Sequence, residues 1–133
     1  MNRHITTNHA APSPKTARYS HAVQAGTLLL VTGQLPVDPD APEAPLPDGI
    51  EAQTELAFRN LRLIVEDAGY SLRDTVFARI FLADFDRDCV GMNLVFHRHF
   101  DDPGTMPGRT TIGVARLGRG ALVEIDLTLN RGG

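Results

Sequence analysis

Cysteine is nearly absent from this sequence. Cys89 is the only cysteine among the 133 residues, so the chain cannot form an internal disulfide, and a reducing compartment is expected. Cys89 falls in a predicted helix, where a cysteine usually serves as a small buried side chain and less often as a reactive thiol. We therefore interpret it as a structural residue.

Long hydrophobic runs are also missing. The longest apolar run, residues 28–31, is far too short to cross a membrane. Residues 1–18 contain Ile5 as their one large aliphatic residue, so they lack the apolar centre of a secretory signal and are predicted to form a loose polar leader. These absences predict a cytoplasmic protein without membrane contacts.

The sequence has no excess of basic residues. It contains 13 Lys and Arg against 16 Asp and Glu, which gives a formal net charge of −3. Nucleic-acid-binding domains normally have a high isoelectric point or a basic patch that neutralises phosphates. The charge balance therefore argues against a nucleic-acid partner and against RNA cleavage as the activity.

Histidines with metal-binding spacing are missing as well. His97 and His99 are two residues apart, so a helix would point them in different directions. His4 and His9 fall in the leader, where solvated side chains are expected. His21 is interpreted as a surface or edge-strand residue, although its closeness to residue 19 also leaves a pocket role open. No metal site is predicted.

The remaining composition is typical of one globular domain. Of the 133 residues, 42% are hydrophobic and 22% are charged. A chain of this length buries roughly two thirds of the surface that it exposes when unfolded. We therefore predict a single domain over residues 1–133, with the leader at its N-terminal end.

Hydrophobic periodicity predicts the order strand, strand, helix, strand, helix, strand, strand. Two strands at 20–25 and 27–35 flank Gly26, which indicates a hairpin. Residues 36–48 contain five prolines and four acidic residues, and they are predicted to form a surface loop because proline removes backbone hydrogen-bond donors. A further strand is predicted near 75–82, where β-branched and aromatic residues are frequent.

Two amphipathic helices are predicted. The first begins with Asp48 and Glu51 as a capping-box-like pair and ends before Gly69, and the second runs from about residue 86 to residue 100. Two helices on one face of a mixed sheet give an α+β fold, and we expect subunit association to cover the other face. The apolar stripes are Ala57, Leu61, Ile64, Val65 and Ala68 in the first helix and Cys89, Met92, Phe96 and Phe100 in the second.

The candidate chemistry lies in an arginine and a glutamate on two late strands. Arg109 follows Pro-Gly at the start of one strand, and Glu124 lies fifteen positions later in the next. An antiparallel pairing that set Thr111 opposite Glu124 would bring all three side chains to one face. A guanidinium could then bind an anion beside a proton-transferring carboxylate. On the residues alone, a solvated loop arginine and a solvent-facing strand glutamate fit at least as well.

Several spaced motifs resemble, in the same order, those of the Rid/YjgF family of reactive-intermediate deaminases. Together they cover most of the chain, and the series is far more specific than any one of them. The motifs are YSHAVQAG at 19–26, VTGQLPVDP at 31–39, the helical stretch 53–69, the stretch 93–100, PGRTT at 107–111, VARL at 114–117 and VEI at 123–125.

The resemblance implies a chorismate-mutase-like α+β fold that forms homotrimers, with each pocket shared between neighbouring subunits. Deaminating members of this family, also called the endoribonuclease L-PSP family, hydrolyse small 2-enamine or 2-imino acids to 2-oxo acids and ammonia without a metal or organic cofactor. By the same resemblance, Arg109 holds the substrate carboxylate, Glu124 activates water and Tyr19 lines the pocket. Further substrate-binding positions match Gly33, Asn93 and Thr111.

The residue types agree with that chemistry. Arg109 stays charged at any working pH and can bind a planar carboxylate through two parallel hydrogen bonds. Glu124 could move protons between water and the departing nitrogen if burial between subunits adjusts its pKa. A non-catalytic sensor of small carboxylates, a holdase-type chaperone and an RNA-cleaving protein are the alternatives of the same fold.

Three departures from the family's pattern leave the substrate open. Arg18 precedes Tyr19 where many members have a proline, and it could favour a larger acidic substrate. Thr111 stands where many bacterial deaminases have cysteine, so a thiol-dependent role is missing. The segment 84–93 is about one residue longer than the usual pattern, which affects the match at Asn93.

Overall fold

The computed structural model describes residues 1–132, which form a six-stranded sheet and two α-helices. The predicted α+β fold with both helices beside a mixed sheet is confirmed. The elements are β1 (Arg3–Ile5), β2 (Ala22–Ala25), β3 (Leu28–Gln34), α1 (Ile50–Asp67), β4 (Thr75–Leu82), α2 (Phe85–His99), β5 (Gly108–Gly113) and β6 (Val123–Asn130).

The strands follow the order β1-β2-β3-β6-β4-β5 across the sheet. Only β4 and β5 run parallel among the paired strands of residues 1–132, and α2 forms the crossover between them. Helix α1 packs on β3 and β6, and α2 packs on β4, so both helices lie on one face of the sheet. We call this the inner face. Its fully buried strand residues include Leu29, Ala78, Ile80, Leu82, Val123, Ile125 and Leu129.

On the opposite, outer face of the sheet, the described part of the chain places no helix. Leu30, Phe77 and Ile112 lie on this face and remain 48%, 40% and 44% exposed. Between them, Arg79 donates three hydrogen bonds to the Asp126 carboxylate, at 2.7 to 3.1 Å. The single chain therefore leaves an apolar sheet face with one central ion pair exposed to solvent.

The predicted hairpin is confirmed, because β2 and β3 pair antiparallel around Gly26, whose φ is +63°. Residues 36–48 contain no helix or strand, as expected for the proline-rich loop. The predicted strand at 75–82 is β4, and the second helix begins and ends one residue before its predicted limits.

The predicted start of the first helix is wrong in its capping residue. Gly49 occupies the N-cap with φ +86° and makes no side-chain cap, so Asp48 lies one residue outside the helix. From that position its carboxylate is not placed to accept from the first helical N–H groups. Glu51 lies in the first turn, where its charge still favours the helix dipole.

The predicted end of α1 at Gly69 is confirmed. Gly69 has φ +84°, which a residue without Cβ adopts at no steric cost. The Gly69 N–H donates to the Glu66 carbonyl and the Tyr70 N–H donates to the Val65 carbonyl, both at 3.0 Å. These two bonds form a Schellman motif, which satisfies carbonyls that the end of a helix leaves free.

The N-terminal residues are not the loose leader that the sequence predicted. Residues 3–5 form β1, which pairs antiparallel with β2 at the edge of the sheet. The Thr7 N–H donates to Nδ1 of His21 at 3.1 Å, and the Ala11 N–H donates to Oδ1 of Asn60 at 2.9 Å. A three-residue strand has too little periodicity to detect, and its partners lie far along the sequence.

His21 is likewise not a surface residue. It is buried, and its Nε2 lies 2.8 Å from the Ala11 carbonyl while Nδ1 accepts from Thr7. This pattern places the proton on Nε2 and leaves the ring neutral. His21 therefore anchors the N-terminal segment to the start of β2. None of the helices within residues 1–132 is long and apolar enough to cross a membrane.

Candidate functional site

The pairing of β5 with β6 that the sequence suggested does not occur, because β4 lies between them. Thr111 pairs with Ile80 of β4, whereas Glu124 pairs with Phe81, the next residue of that strand. Neighbours along a strand point to opposite faces. Thr111 and Arg109 therefore lie on the inner face and Glu124 lies on the outer face, so one chain does not bring the three together.

On the outer face, Glu124 lies directly against the backbone of Gly33. A Cβ added at Gly33 would lie 3.0 Å from Cδ and 3.2 Å from Cγ of Glu124, and closer still to Oε2. Position 33 therefore holds a glycine because the carboxylate occupies the space of a side chain. We call Tyr19, Gly33 and Glu124 the glutamate half-site.

The surroundings of Glu124 favour its neutral form. Burial raises the pKa of the Glu124 carboxyl, and the negative charge of Asp126 raises it further. The pKa of the Tyr19 hydroxyl is also raised, first by burial and then by the charge of Glu124. The two residues are thus electrostatically coupled, and Glu124 is better suited to exchange protons near neutral pH than an ordinary exposed glutamate.

On the inner face, Arg109 lies at the edge of the sheet over helix α2. Its guanidinium carbon is 4.8 Å from the centre of the Phe96 ring, a cation–π contact that holds the side chain in place. Within residues 1–132, no acidic side chain forms an ion pair with Arg109. The guanidinium is therefore free to bind an anion.

Asn93 precedes Phe96 by three residues on α2, and so lies on the same side of the helix. Its Oδ1 is buried and has no hydrogen-bond partner among residues 1–132, while its Nδ2 lies 3.8 Å from Sγ of Cys89. An unpaired buried acceptor is unfavourable unless a donor reaches it. We call Asn93, Phe96, Arg109 and Thr111 the arginine half-site, in which Thr111 is half-buried.

Beside the glutamate half-site lies a cleft of about 580 Å³. Tyr19 and Gly33 form part of its lining, together with residues of the N-terminal segment, the 36–48 loop and the turn at 118–119. Sequence reasoning placed Asn60 in the helical stretch of the family resemblance but assigned no role to its buried side chain, which hydrogen-bonds to both the N-terminal segment and the 36–48 loop. Its signal was present, since Asn60 is a polar residue among the apolar positions Ala57, Leu61 and Ile64 of α1.

Metal-ligating groups do not cluster in the part of the chain that the structure describes. No set of three or more His, Cys, Asp or Glu side chains is arranged there to hold a metal ion. The groups that the two half-sites present are the Arg109 guanidinium and the half-buried Glu124 carboxyl.

Known proteins share this sequence and fold. The family model described as Endoribonuclease L-PSP matches residues 8–130. A RutC family protein of Pyrococcus horikoshii is 37% identical over 116 residues, covering 87% of this chain and 88% of its own length. A 2-iminobutanoate/2-iminopropanoate deaminase of Dermatophagoides farinae is 33% identical over 124 residues, or 93% of each chain.

A solved structure of a related protein has the same fold. The crystal structure of E. coli TdcF with bound serine has a TM-score of 0.88 and 30% identity, covering 98% of this chain and 99% of that one. The family resemblance predicted from the spaced motifs is confirmed. This chain belongs to the endoribonuclease L-PSP family, whose members are also named Rid, YjgF and RutC proteins.

Proposed function

We propose that this chain is a cofactor-independent deaminase that hydrolyses 2-enamine and 2-imino acids to 2-oxo acids and ammonia. The observation that supports it most is the half-buried Glu124 carboxyl, which lies on Gly33 beside Tyr19 with a raised pKa. A glutamate that only faced solvent would require neither a glycine at position 33 nor partial burial of its carboxyl group. The related deaminase of Dermatophagoides farinae supports the same assignment.

In this proposal Arg109 binds the substrate carboxylate through two parallel hydrogen bonds and so fixes the imine carbon. Glu124 accepts a proton from water as the water oxygen bonds to that carbon and the C=N double bond becomes single. The carboxyl then returns that proton to the nitrogen, which gives an amino alcohol. Glu124 next moves the hydroxyl proton to the amino group, the C–N bond breaks, ammonia leaves, and the C=O bond of the 2-oxo acid forms. Atoms and charges balance without any other reactant.

The position of the half-sites supports a homotrimer with shared pockets. Arg109 and Glu124 lie on opposite faces of one sheet, so the arginine of one chain would act with the glutamate of a neighbour. The uncovered outer face, with Leu30, Phe77 and Ile112, offers the apolar surface for that contact. The neighbour's sheet edge would then approach Glu124.

Two alternatives rest on particular observations. A non-catalytic carboxylate sensor would also use the unpaired Arg109, and the serine bound to TdcF is a small carboxylate. A holdase-type chaperone would use the exposed outer face itself. The net charge of −3 gives no support to RNA binding.

The release of 2-oxo acid from an imine made in place by an amino-acid oxidase tests the proposal. Semicarbazide traps free imine, so acceleration appears as 2-oxo acid formed at the expense of semicarbazone. We expect wild-type protein to accelerate hydrolysis and Arg109→Ala to lose about 100-fold or more in kcat/KM, because a charge-assisted bidentate contact is removed.

Arg73→Ala is the matched control, since Arg73 is exposed and belongs to neither half-site. It should behave as wild type. If wild type accelerates no imine, the deaminase proposal is wrong. Binding of carboxylates that depends on Arg109 would then favour the sensor, and suppression of aggregation by Arg109→Ala would favour the chaperone.

Substituting Gly33 by alanine tests the position of the Glu124 carboxyl. The added Cβ would overlap Oε2 of Glu124, and the flexible side chain would move aside while the fold persists. We expect kcat to fall by about 100-fold, since a displacement of about 1 Å at a reacting group can cost that much. Gly104→Ala, on a surface turn, is the control. Full activity in a folded Gly33→Ala protein would contradict this role.

A further inference from the structure

The cleft beside Tyr19 has walls that are fixed by buried polar side chains. On one side, residues 11–15 of the N-terminal segment are held by His21 and Asn60, which bond the carbonyl and the N–H of Ala11 at 2.8 and 2.9 Å. Asn60 is fully buried and His21 is 2% exposed. This wall is therefore built into the fold and is not a chance arrangement of surface residues.

The opposite wall is the 36–48 loop, which is fastened at two points. The Nδ2 of Asn60 donates to the Val37 carbonyl at 2.7 Å. The Arg119 guanidinium donates to the carbonyls of Pro42 and Ala44 at 2.7 and 3.0 Å. Arg119 has φ +60°, which is uncommon for a residue other than glycine. Asn60 thus connects both walls, and the cleft exists before any ligand binds.

The lining of the cleft is largely apolar. Its hydrophobic members include Ala11, Pro12, Pro14, Leu35, Val37 and Pro42. Among the charged members, Arg119 is engaged with the loop carbonyls, and Lys15 and Glu43 are exposed. Ligand pockets are typically about 300–1,000 Å³ and mostly apolar, so a cleft of about 580 Å³ is within the usual range.

Tyr19 and Gly33 line the cleft and also belong to the glutamate half-site. We propose that the cleft receives the side chain of the substrate, and that the preferred substrates are 2-imino acids with bulky apolar side chains. This inference rests on the proposed deaminase function. A methyl side chain would contact little of the cleft's apolar wall, whereas an aryl or branched alkyl group would bury more apolar surface against it and displace more water.

The test compares imines that differ only in their side chain. Phenylalanine-, alanine- and aspartate-derived imines are generated by D-amino-acid and D-aspartate oxidases, and kcat/KM is measured for each with semicarbazide as the trap. We expect the phenylalanine-derived imine to be preferred over the alanine-derived one by about tenfold to a hundredfold.

Ser13→Trp is the diagnostic variant, because Ser13 lines the cleft and a tryptophan there would occupy it. We expect it to reduce the phenylalanine-to-alanine ratio of kcat/KM at least tenfold. Thr16→Trp lies in the same segment but outside the lining, and it should keep the wild-type ratio. Because both imines are measured on the same protein preparation, partial misfolding cancels in the ratio.

A ratio near one in wild type, a preference for the aspartate-derived imine, or a ratio unchanged by Ser13→Trp would overturn the inference while leaving the deaminase intact. Hydrolysis of none of the three imines would instead overturn the deaminase function. In that case, binding of phenylpyruvate and pyruvate to wild type and to Ser13→Trp decides the role of the cleft. Equal binding of the two 2-oxo acids would overturn it.

Discussion

Glutamine in place of Glu124 is expected to lower kcat by about 100- to 10,000-fold, the range in which a general acid–base residue contributes. The amide is close in size to the carboxyl but cannot accept the proton of the attacking water. Binding of the substrate carboxylate should persist, because in the proposed pocket the neighbouring chain's Arg109 binds it and the substitution leaves that guanidinium in place. Stopped-flow or coupled assays of 2-oxo acid release measure kcat, and calorimetry with a 2-oxo acid measures binding.

The same substitution should remove a limb of the pH profile. As a base Glu124 acts in its ionised form, so activity falls as the pH drops through its pKa. Because burial and Asp126 raise that pKa, the acid limb lies above the range of an ordinary glutamate. In Glu124→Gln the residual rate should lack this limb.

The thermal stability of Glu124→Gln distinguishes a loss of catalysis from a loss of folding. A glutamate whose pKa is higher in the folded state than in the unfolded state increases the free energy of unfolding at pH values below its unfolded-state pKa. This contribution is lost as the pH rises through its folded-state pKa. At neutral pH the glutamine variant should therefore unfold at no lower temperature than wild type. Glu66→Gln, an exposed change on α1, serves as the control. Undiminished turnover in Glu124→Gln would show that Glu124 is not the residue that transfers the proton.

Co-expression of Arg109→Ala with Glu124→Gln is expected to restore activity that neither variant has alone. If each pocket takes its arginine from one chain and its glutamate from the neighbour, a mixed trimer contains pockets in which both residues are intact. For random mixing around a cyclic trimer, about one quarter of all pockets are of this kind. The recovered activity should therefore approach about a quarter of wild type in the unfractionated mixture, and about a third in isolated mixed trimers, each of which has one intact pocket in three.

The measurement requires two affinity tags, one on each variant, so that mixed assemblies can be isolated. Their mass in solution should be three times the 14.5 kDa of one chain. Arg109→Ala co-expressed with itself under both tags is the control and should stay inactive. Mixed assemblies without activity would show that the two residues do not act across subunits. A monomeric mass would reject the shared pocket altogether.

Local chemistry made several elements predictable. The hairpin around Gly26 and the end of α1 at Gly69 depend on glycines with positive φ, and α2 depends on a regular apolar stripe. These features arise from neighbouring residues, so a sequence pattern is sufficient to find them. The N-cap of α1 shows where such local patterns fail to predict the structure, because Gly49 occupies the N-cap position that Asp48 was expected to hold.

The arrangement of the candidate site was not predictable in the same way. The sequence identified Arg109 and Glu124 as a candidate pair but suggested that their strands are neighbours. In the fold, α2 returns the chain so that β5 pairs parallel with β4, and β4 lies between the two residues. The alternation of residues along each strand could be predicted from the sequence, whereas the order of the strands depends on how α2 crosses the sheet between β4 and β5.

The sequence by itself therefore determined the α+β class, the family and the residues with suitable chemistry, because motifs and periodicity are properties of contiguous segments. Only the tertiary structure decided which face each residue occupies. It also decided that Glu124 rests on Gly33 and that His21 and Asn60 fix the walls of a cleft. These contacts join residues up to about ninety positions apart, and their energies depend on burial and pairing that exist only after the sheet has assembled.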